Sequence, residues 1–216
     1  MNKPEYYGHP RREMGTFVPT SAKRLLDIGC GAGAFAAGLK ENSLKSGEER
    51  EFWGVEMCPE AAKLAAEVMD TILTGDFASV LPELPEGQFD CIILNDVLEH
   101  MVHPDEILRR IKPLLAPGAV VVASIPNVRY FFNVLDLVVH GRWDYTDEGI
   151  LDRTHLRFFT ASSINRMFQD TGYRVDTLSG INATGSLKFK LMNLLTFGRW
   201  SNMKYLQFAV VASQED

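Results

Sequence analysis

The sequence predicts an α/β protein, a mostly parallel sheet with helices on both faces. Two observations carry this. Between Arg24 and Ile125, short apolar runs alternate with segments of helical composition, as right-handed strand–helix–strand units require. A glycine-rich turn, Gly29-Cys30-Gly31-Ala32-Gly33, follows the first apolar run and opens an alanine-rich helix. At 216 residues, 46% hydrophobic and 23% charged, the chain can build one real core.

Arg24 to Ile28 reads as a short buried strand, followed by the glycine turn and a helix from about Ala34 to Lys40. Ser43 to Arg50 reads as a charged loop. Phe52 to Val55 is a second strand ending at Glu56. Pro59 sits where a helix can begin, and Glu60 to Met69 has helical composition. Thr71 to Leu73 is a third strand, closed by Gly75-Asp76. Pro82, Pro85 and Gly87 mark a loop. Phe89 to Leu94 is a continuous apolar run, the pattern of a strand covered on both faces. Pro104 to Leu115 reads as a helix stopped by Pro117-Gly118, and Ala119 to Ile125 as a fifth strand. Residues 127–160 are aromatic, charged and too long for a simple connection, which implies an inserted cap with its own helix after the fifth strand. Ala161 to Thr171 is a helix, and Tyr173 to Leu178 and Leu206 to Ala212 are two further strands. No helix need cross the sheet between these two, so they are free to pair antiparallel. The whole, residues 1–216, reads as a single domain.

The formal net charge of −6 disfavours nucleic acid, whose phosphates reward clustered Lys and Arg. Cys30, Cys58 and Cys91 fit no zinc spacing and read as reduced thiols, which with a polar N-terminus implies a cytoplasmic protein. No stretch is long enough for a membrane span; the apolar run Tyr130 to Val139 is too short. Leu187 to Trp200 mixes apolar residues at near-helical spacing with basic ones. It is open to three readings: ordinary packing, the surface of a homodimer, or a membrane-facing patch.

A strand running into a glycine-rich turn and a helix N-terminus is built for a ligand, because the glycines admit steep turns and the first helical N–H groups lack partners. Gly29-x-Gly31-x-x-Ala34 also fits the dinucleotide fingerprint, and Glu56 at the end of the second strand suits ribose hydroxyls of either cofactor class. Asp27 separates them. A carboxylate two residues before Gly29 suits an ammonium group and repels a pyrophosphate, which argues against a nicotinamide oxidoreductase.

Leu26-Asp27-Ile28-Gly29-Cys30-Gly31-Ala32-Gly33 resembles the first motif of the class I S-adenosylmethionine-dependent methyltransferases. Val55-Glu56-Met57, Gly75-Asp76-Phe77, the run Phe89 to His100 and Leu115-Ala116-Pro117-Gly118-Ala119 resemble the motifs that follow it, in order. The resemblance implies a Rossmann-like, seven-stranded sheet whose last strand runs antiparallel, and S-adenosylmethionine as cofactor. It implies that Asp27, Gly29, Gly31 and Asn95 surround the methionine part, that Gly33 also binds the cofactor, that Glu56 takes the ribose with Met57 against the adenine, and that Asp76 binds the adenine amino group with Phe77 beside the ring. The same motifs also suit a non-catalytic domain that binds the cofactor as a regulator or partner.

Methyl transfer to a hydroxyl needs a positioned base. Asp96, Glu99 and His100 follow the fourth strand; they can act as base, hold a divalent metal, or simply fasten the loop to the sheet, and no metal is called for by the pattern. His155, in Asp152-Arg153-Thr154-His155-Leu156-Arg157, titrates near neutrality and is the second candidate base, with Arg153 and Arg157 open to an anionic substrate or to pairing with acids such as Asp152. Thr160 is placed to cap the next helix. Tyr6, Tyr7, His9 and Arg11 either fold over the cofactor or belong to a mobile terminus, the simpler expectation. Tyr130, Phe131, Phe132 and Trp143 form either an apolar substrate wall or the cap's own small core. The chain lacks the Asn-Pro-Pro-aromatic signature of amino-directed nucleic-acid methyltransferases, having Asn95-Asp96-Val97-Leu98 instead, which favours a small-molecule or sugar acceptor and a hydroxyl nucleophile.

Overall fold

The computed structural model describes residues 10–215. Seven strands form one sheet: β1 (Arg24–Ile28), β2 (Glu51–Glu56), β3 (Thr71–Thr74), β4 (Phe89–Asn95), β5 (Leu115–Pro126), β6 (Tyr173–Ala183) and β7 (Tyr205–Gln214), in the order β3-β2-β1-β4-β5-β7-β6. The pairs among β1 to β5 are parallel. β7 slots antiparallel between β5 and β6. The helices are α1 (Ala34–Ser46), α2 (Pro59–Ala65), α3 (Phe77–Val80), α4 (Pro104–Ile111), α5 (Phe131–Leu135), α6 (Ala161–Asp170) and α7 (Leu187–Leu195).

Strand alternation sends Ile92 and Leu94 of β4 to one face and Cys91 and Ile93 to the other. Both faces are dry. The first packs with Leu108 and Ile111 of α4 and Ile164 and Phe168 of α6; the second packs with Phe35, Ala36 and Leu39 of α1 and with Met14 and Val18 of the N-terminal segment. A continuous apolar strand therefore stands at the centre of a three-layer fold, as its sequence predicts.

Several boundaries differ from the sequence reading. α1 runs on to Ser46 and ends at Gly47 in the left-handed region (φ 72°), so the first half of the expected charged loop is helical. The Ser43 hydroxyl donates to the Leu39 carbonyl and Lys45 pairs with Glu41 one turn back, which lets polar residues continue the helix. α4 stops at Ile111, and a 3₁₀ turn, Lys112–Leu114, leads into a β5 that starts four residues earlier than expected. β6 and β7 outrun their apolar cores because each lengthens along the other. Thr160 caps α6 as expected, in a reciprocal arrangement with Ser163.

Tyr173 opens β6 fully buried, its hydroxyl donating to the Leu108 carbonyl at 2.8 Å. That bond ties the β6 edge to α4 across the layer. Tyr173→Phe leaves a buried carbonyl unmet and should lower unfolding free energy by about 1–2 kcal/mol, read from denaturant melts. An unchanged midpoint would show that the carbonyl finds another donor.

Residues 127–160 carry α5, a π-helical turn (Asp136–His140) and an irregular return. Phe131 of α5 buries itself against Phe189 of α7 and Met203 in a small separate core, and Trp143 stacks edge-on to Phe158. Of the four aromatics Tyr130, Phe131, Phe132 and Trp143, Phe131 enters this core, Phe132 is exposed, and none lines the cleft described below. Among the described residues no helix is long and apolar enough to cross a membrane.

Candidate functional site

Strand order reverses between β1 and β4, and ligands of open α/β sheets sit at such a switch point, beyond the carboxyl ends of the strands. A cleft of about 1010 Å³ opens there. It is lined by Asp27, Gly29, Gly31, Glu56, Met57, Asp76, Phe77, Asn95, Asp96, Glu99, His100 and His155, with Arg11, Asn182 and Gln207. Among the described residues expected at the cofactor or the base, Gly33 alone falls outside the lining. It has φ 77°, and a Cβ there would stand 3.2 Å from the Ala65 backbone, so this glycine serves the approach of α1 to α2. Gly29 does belong to the floor: at φ 74°, any Cβ would meet Val97 at 2.8 Å.

Two buried acids face each other across the turn. Glu56 accepts from Gly31 N and Cys58 N, both at 2.8 Å, and thereby shapes the glycine turn. Asp27 is 3% exposed; burial, and then the nearby Glu56 charge, push its carboxyl up to about 8. Both Asn95 side-chain polar atoms are buried with no partner. A pair of buried acids beside a partnerless amide fits a ligand carrying a cationic amino-acid end and a ribose, and rejects a pyrophosphate. Met57 is an exposed rim residue, whereas Phe77 is anchored in the main core and still reaches the cleft. Asp76 caps α3, accepting from Ala78 N at 3.1 Å.

The raised Asp27 carries a prediction. A group that holds its proton more tightly when folded stabilises the empty protein most below its ordinary value of 3.8, and this contribution is lost as pH rises towards about 8. Unliganded Asp27→Asn should therefore gain on the wild type as pH moves from mildly acidic to mildly alkaline, by thermal unfolding. A cationic ligand favours the ionised form, so binding at neutral pH should release a proton, seen as calorimetric heats that vary with buffer ionisation enthalpy. Heats independent of buffer would remove Asp27 from contact with the ligand's charge.

Beyond β4 the cleft holds a second cluster. Asp96 adopts φ 53°, and its carboxylate is fully engaged: Arg11 at 2.8 Å, the Ser124 hydroxyl at 3.0 Å and the Gln207 amide at 2.8 Å. Asp96 thus clamps the N-terminal segment, with its carboxylate already engaged. The adjoining segment is a 3₁₀ turn, Leu98–His100, not a longer helix. Glu99 does not fasten the loop with its side chain. Its main-chain carbonyl accepts from Leu156 N and Arg157 N, while both carboxyl oxygens are buried without a partner. Burial and the Asp96 charge raise that carboxyl well above its ordinary range.

His155 is buried, with Nδ1 at 2.9 Å from the Ile150 carbonyl. A carbonyl can only accept, so Nδ1 carries the hydrogen, and in the neutral ring the lone pair sits on Nε2. The His100 ring lies edge-on at 4.7 Å and its Nδ1 faces the Thr154 carbonyl at 3.3 Å. Burial, then His155, hold His100 below its ordinary range. Donor atoms of Glu99, His100 and His155 lie within 4.8 Å of one another, a set able to take a metal ion. Arg153 pairs with Asp147 and Arg157 donates to the Val102 carbonyl, so neither arginine turns to the cleft. Tyr6, Tyr7 and His9 lie outside the described residues; Arg11, from the same stretch, does line the cleft.

Sequence reasoning missed Ser124, Asn182 and Gln207. Each comes from a strand far along the chain and stands in no local motif; only the β5–β7 and β6–β7 registers bring them in.

Fold and cleft together define a nucleoside-cofactor site of the class I methyltransferase kind. The chain belongs to the methyltransferase-domain family, a family of S-adenosylmethionine-binding domains, which it matches over residues 3–178. It is 29% identical over 178 residues to a ubiquinone biosynthesis O-methyltransferase of Psychrobacter arcticus, covering 75% of this chain and 63% of that protein. It is 30% identical over 181 residues to one of Aeromonas salmonicida, covering 78% and 71%. A crystal structure of a SAM-dependent methyltransferase from Archaeoglobus fulgidus superposes with TM-score 0.64 at 18% identity, covering 98% of this chain and 94% of that one.

Proposed function

We propose that this chain transfers a methyl group from S-adenosylmethionine to a hydroxyl of a small-molecule acceptor, with His155 as the base. The observation that carries the reading is one cleft that joins the two buried acids and the partnerless Asn95 to a histidine with a fixed tautomer. The bound cofactor supplies a methyl group on a positively charged sulfur. Asp27 and Asn95 hold its amino-acid end and Glu56 its ribose. His155 Nε2 takes the acceptor's hydroxyl proton as the oxygen forms its bond to the methyl carbon and the carbon–sulfur bond breaks. Burial and then His155 lower the affinity of His100 for a proton, which makes it a poorer base. Residues 148–155 wall the cleft on the acceptor side and serve as its lid. The likeness to ubiquinone biosynthesis O-methyltransferases makes a hydroxyl of a ubiquinone-related molecule the first acceptor to try, and a sugar hydroxyl the second.

The test is calorimetric titration with S-adenosylmethionine, S-adenosylhomocysteine and NAD, followed by an acceptor screen for methylated product. Micromolar binding of the first two and none of NAD is expected. Binding without turnover on any hydroxyl acceptor would favour a cofactor-holding partner domain. A second reading rests on the partnerless Glu99: the Glu99–His100–His155 group holds a divalent cation that orients the acceptor. Under it a chelator abolishes turnover and added metal restores it; with His155 as a simple base, turnover survives chelation.

A further inference from the structure

α7 is built inside out for a surface helix. Leu187, Leu191, Leu194 and Leu195 recur at four, three and one residues, a single stripe of a helix, and all four are exposed, Leu187 by 78% and Leu194 by 73%. The opposite side carries Phe189, which is buried against α5. By helical spacing Lys188 and Lys190 fall on the two flanks of the leucine stripe. Beyond the helix the chain turns sharply. Phe197 N donates to the Leu194 carbonyl and Gly198 N to Asn193, and Thr196 hydrogen-bonds back to Met192. That closed turn holds Phe197 in the left-handed region (φ 52°) with its side chain 92% exposed. The neighbouring helical run adds exposed Leu137, Val138 and Val139.

The charge of this region is opposite to that of the molecule. Between Asp176 and Glu215 there is no acidic residue, but Lys188, Lys190, Arg199 and Lys204 are present; Arg129 and Arg142 flank the α5 run, with Asp136 the one acid between them. The chain as a whole carries −6. Among the described residues none of these six cations forms an ion pair. Cations on the flanks of an exposed apolar stripe are the arrangement by which a helix lies in a headgroup layer, its leucines among acyl chains and its lysine tips reaching the phosphates. A second copy fits poorly. A two-fold contact would set this patch on itself, cation against cation.

We infer that α7, the Phe197 turn and the α5 run form a docking surface for an anionic lipid bilayer. The surface hangs from β5, β6 and β7 at the edge of the sheet that bears the cleft, and Pro126, Asn182, Leu206 and Gln207 at those strand ends line the cleft itself. The corollary, which rests on the methyltransferase reading, is that the acceptor is an apolar molecule drawn from the bilayer.

The experiment is co-sedimentation of the whole protein with vesicles of phosphatidylcholine alone and of phosphatidylcholine mixed equally with phosphatidylglycerol. Binding to the mixed vesicles is expected, weakened by salt, and at least about tenfold stronger than to phosphatidylcholine alone. Leu191→Glu with Leu194→Glu should abolish it. Lys188→Gln with Lys190→Gln should reduce it by roughly fivefold for each cation removed. All four positions are exposed and outside the cleft, so S-adenosylhomocysteine affinity, titrated in parallel, should match wild type and report folding and the cofactor site independently of the membrane. No sedimentation with either vesicle would overturn the inference. So would binding that both double variants retain, or a dimer in solution that the leucine variant splits while vesicle binding is absent.

Discussion

Replacing Glu56 with alanine should weaken S-adenosylhomocysteine binding by at least about 100-fold. A carboxylate that meets two hydroxyls contributes a charged hydrogen bond to each, and such bonds are worth about 1.5–3 kcal/mol apiece. Glu56 has a second task even before ligand arrives. Its two oxygens hold Gly31 N and Cys58 N, so the alanine variant leaves two amides at the turn without their acceptor. Unfolding free energy should fall with affinity, by about 1–3 kcal/mol. Glu56→Gln separates the two effects, since one amide oxygen can still serve one N–H. Calorimetry of both variants reads the affinity and chemical melts read the stability. Wild-type affinity in Glu56→Ala would sink the cofactor assignment, and Asp27→Ala is the companion test at the cationic end.

Loss of His155 should act on the other half of the reaction. His155→Ala is expected to lower turnover by roughly 10²–10⁴-fold, the range for a positioned general base, while cofactor affinity stays within about twofold. His155→Gln fills more of the volume and can still meet the Ile150 carbonyl, so it controls for simple collapse of the lid. Unchanged turnover in both variants would take His155 out of the chemistry.

The part of this cleft proposed to hold the cofactor was legible because its residues lie within a few positions of strand ends: Asp27, Gly29, Gly31 and Glu56 sit where a strand stops and a turn begins, and local spacing places them. The part proposed for the acceptor was not. Asp96 reads as a free acid in sequence, yet Arg11, Ser124 and Gln207 converge on it from three distant segments. Nothing near Asp96 announces them. Glu99 reads as a loop fastener, and what sets it apart, two oxygens with no donor, is a property of its surroundings. The fold shows the same divide. Strand-and-helix alternation survives as predicted, while α1 and the last two strands overran their expected ends because intrahelical side-chain bonds and the antiparallel ribbon, rather than apolar content, set those limits.

The position of β7 has a consequence for how the molecule is made. β5 and β6 leave the ribosome before it, yet they are not neighbours; the strand translated after both must enter between them. Until then, two exposed strand edges wait unpaired, and Gln207 has not yet reached Asp96. Polypeptides released before β7 emerges would keep the glycine turn but leave the wall of the cleft open and two edges free to recruit other chains. The acceptor side of the site should mature late in synthesis, and nascent chains arrested just upstream of Tyr205 are those for which chaperone protection matters most.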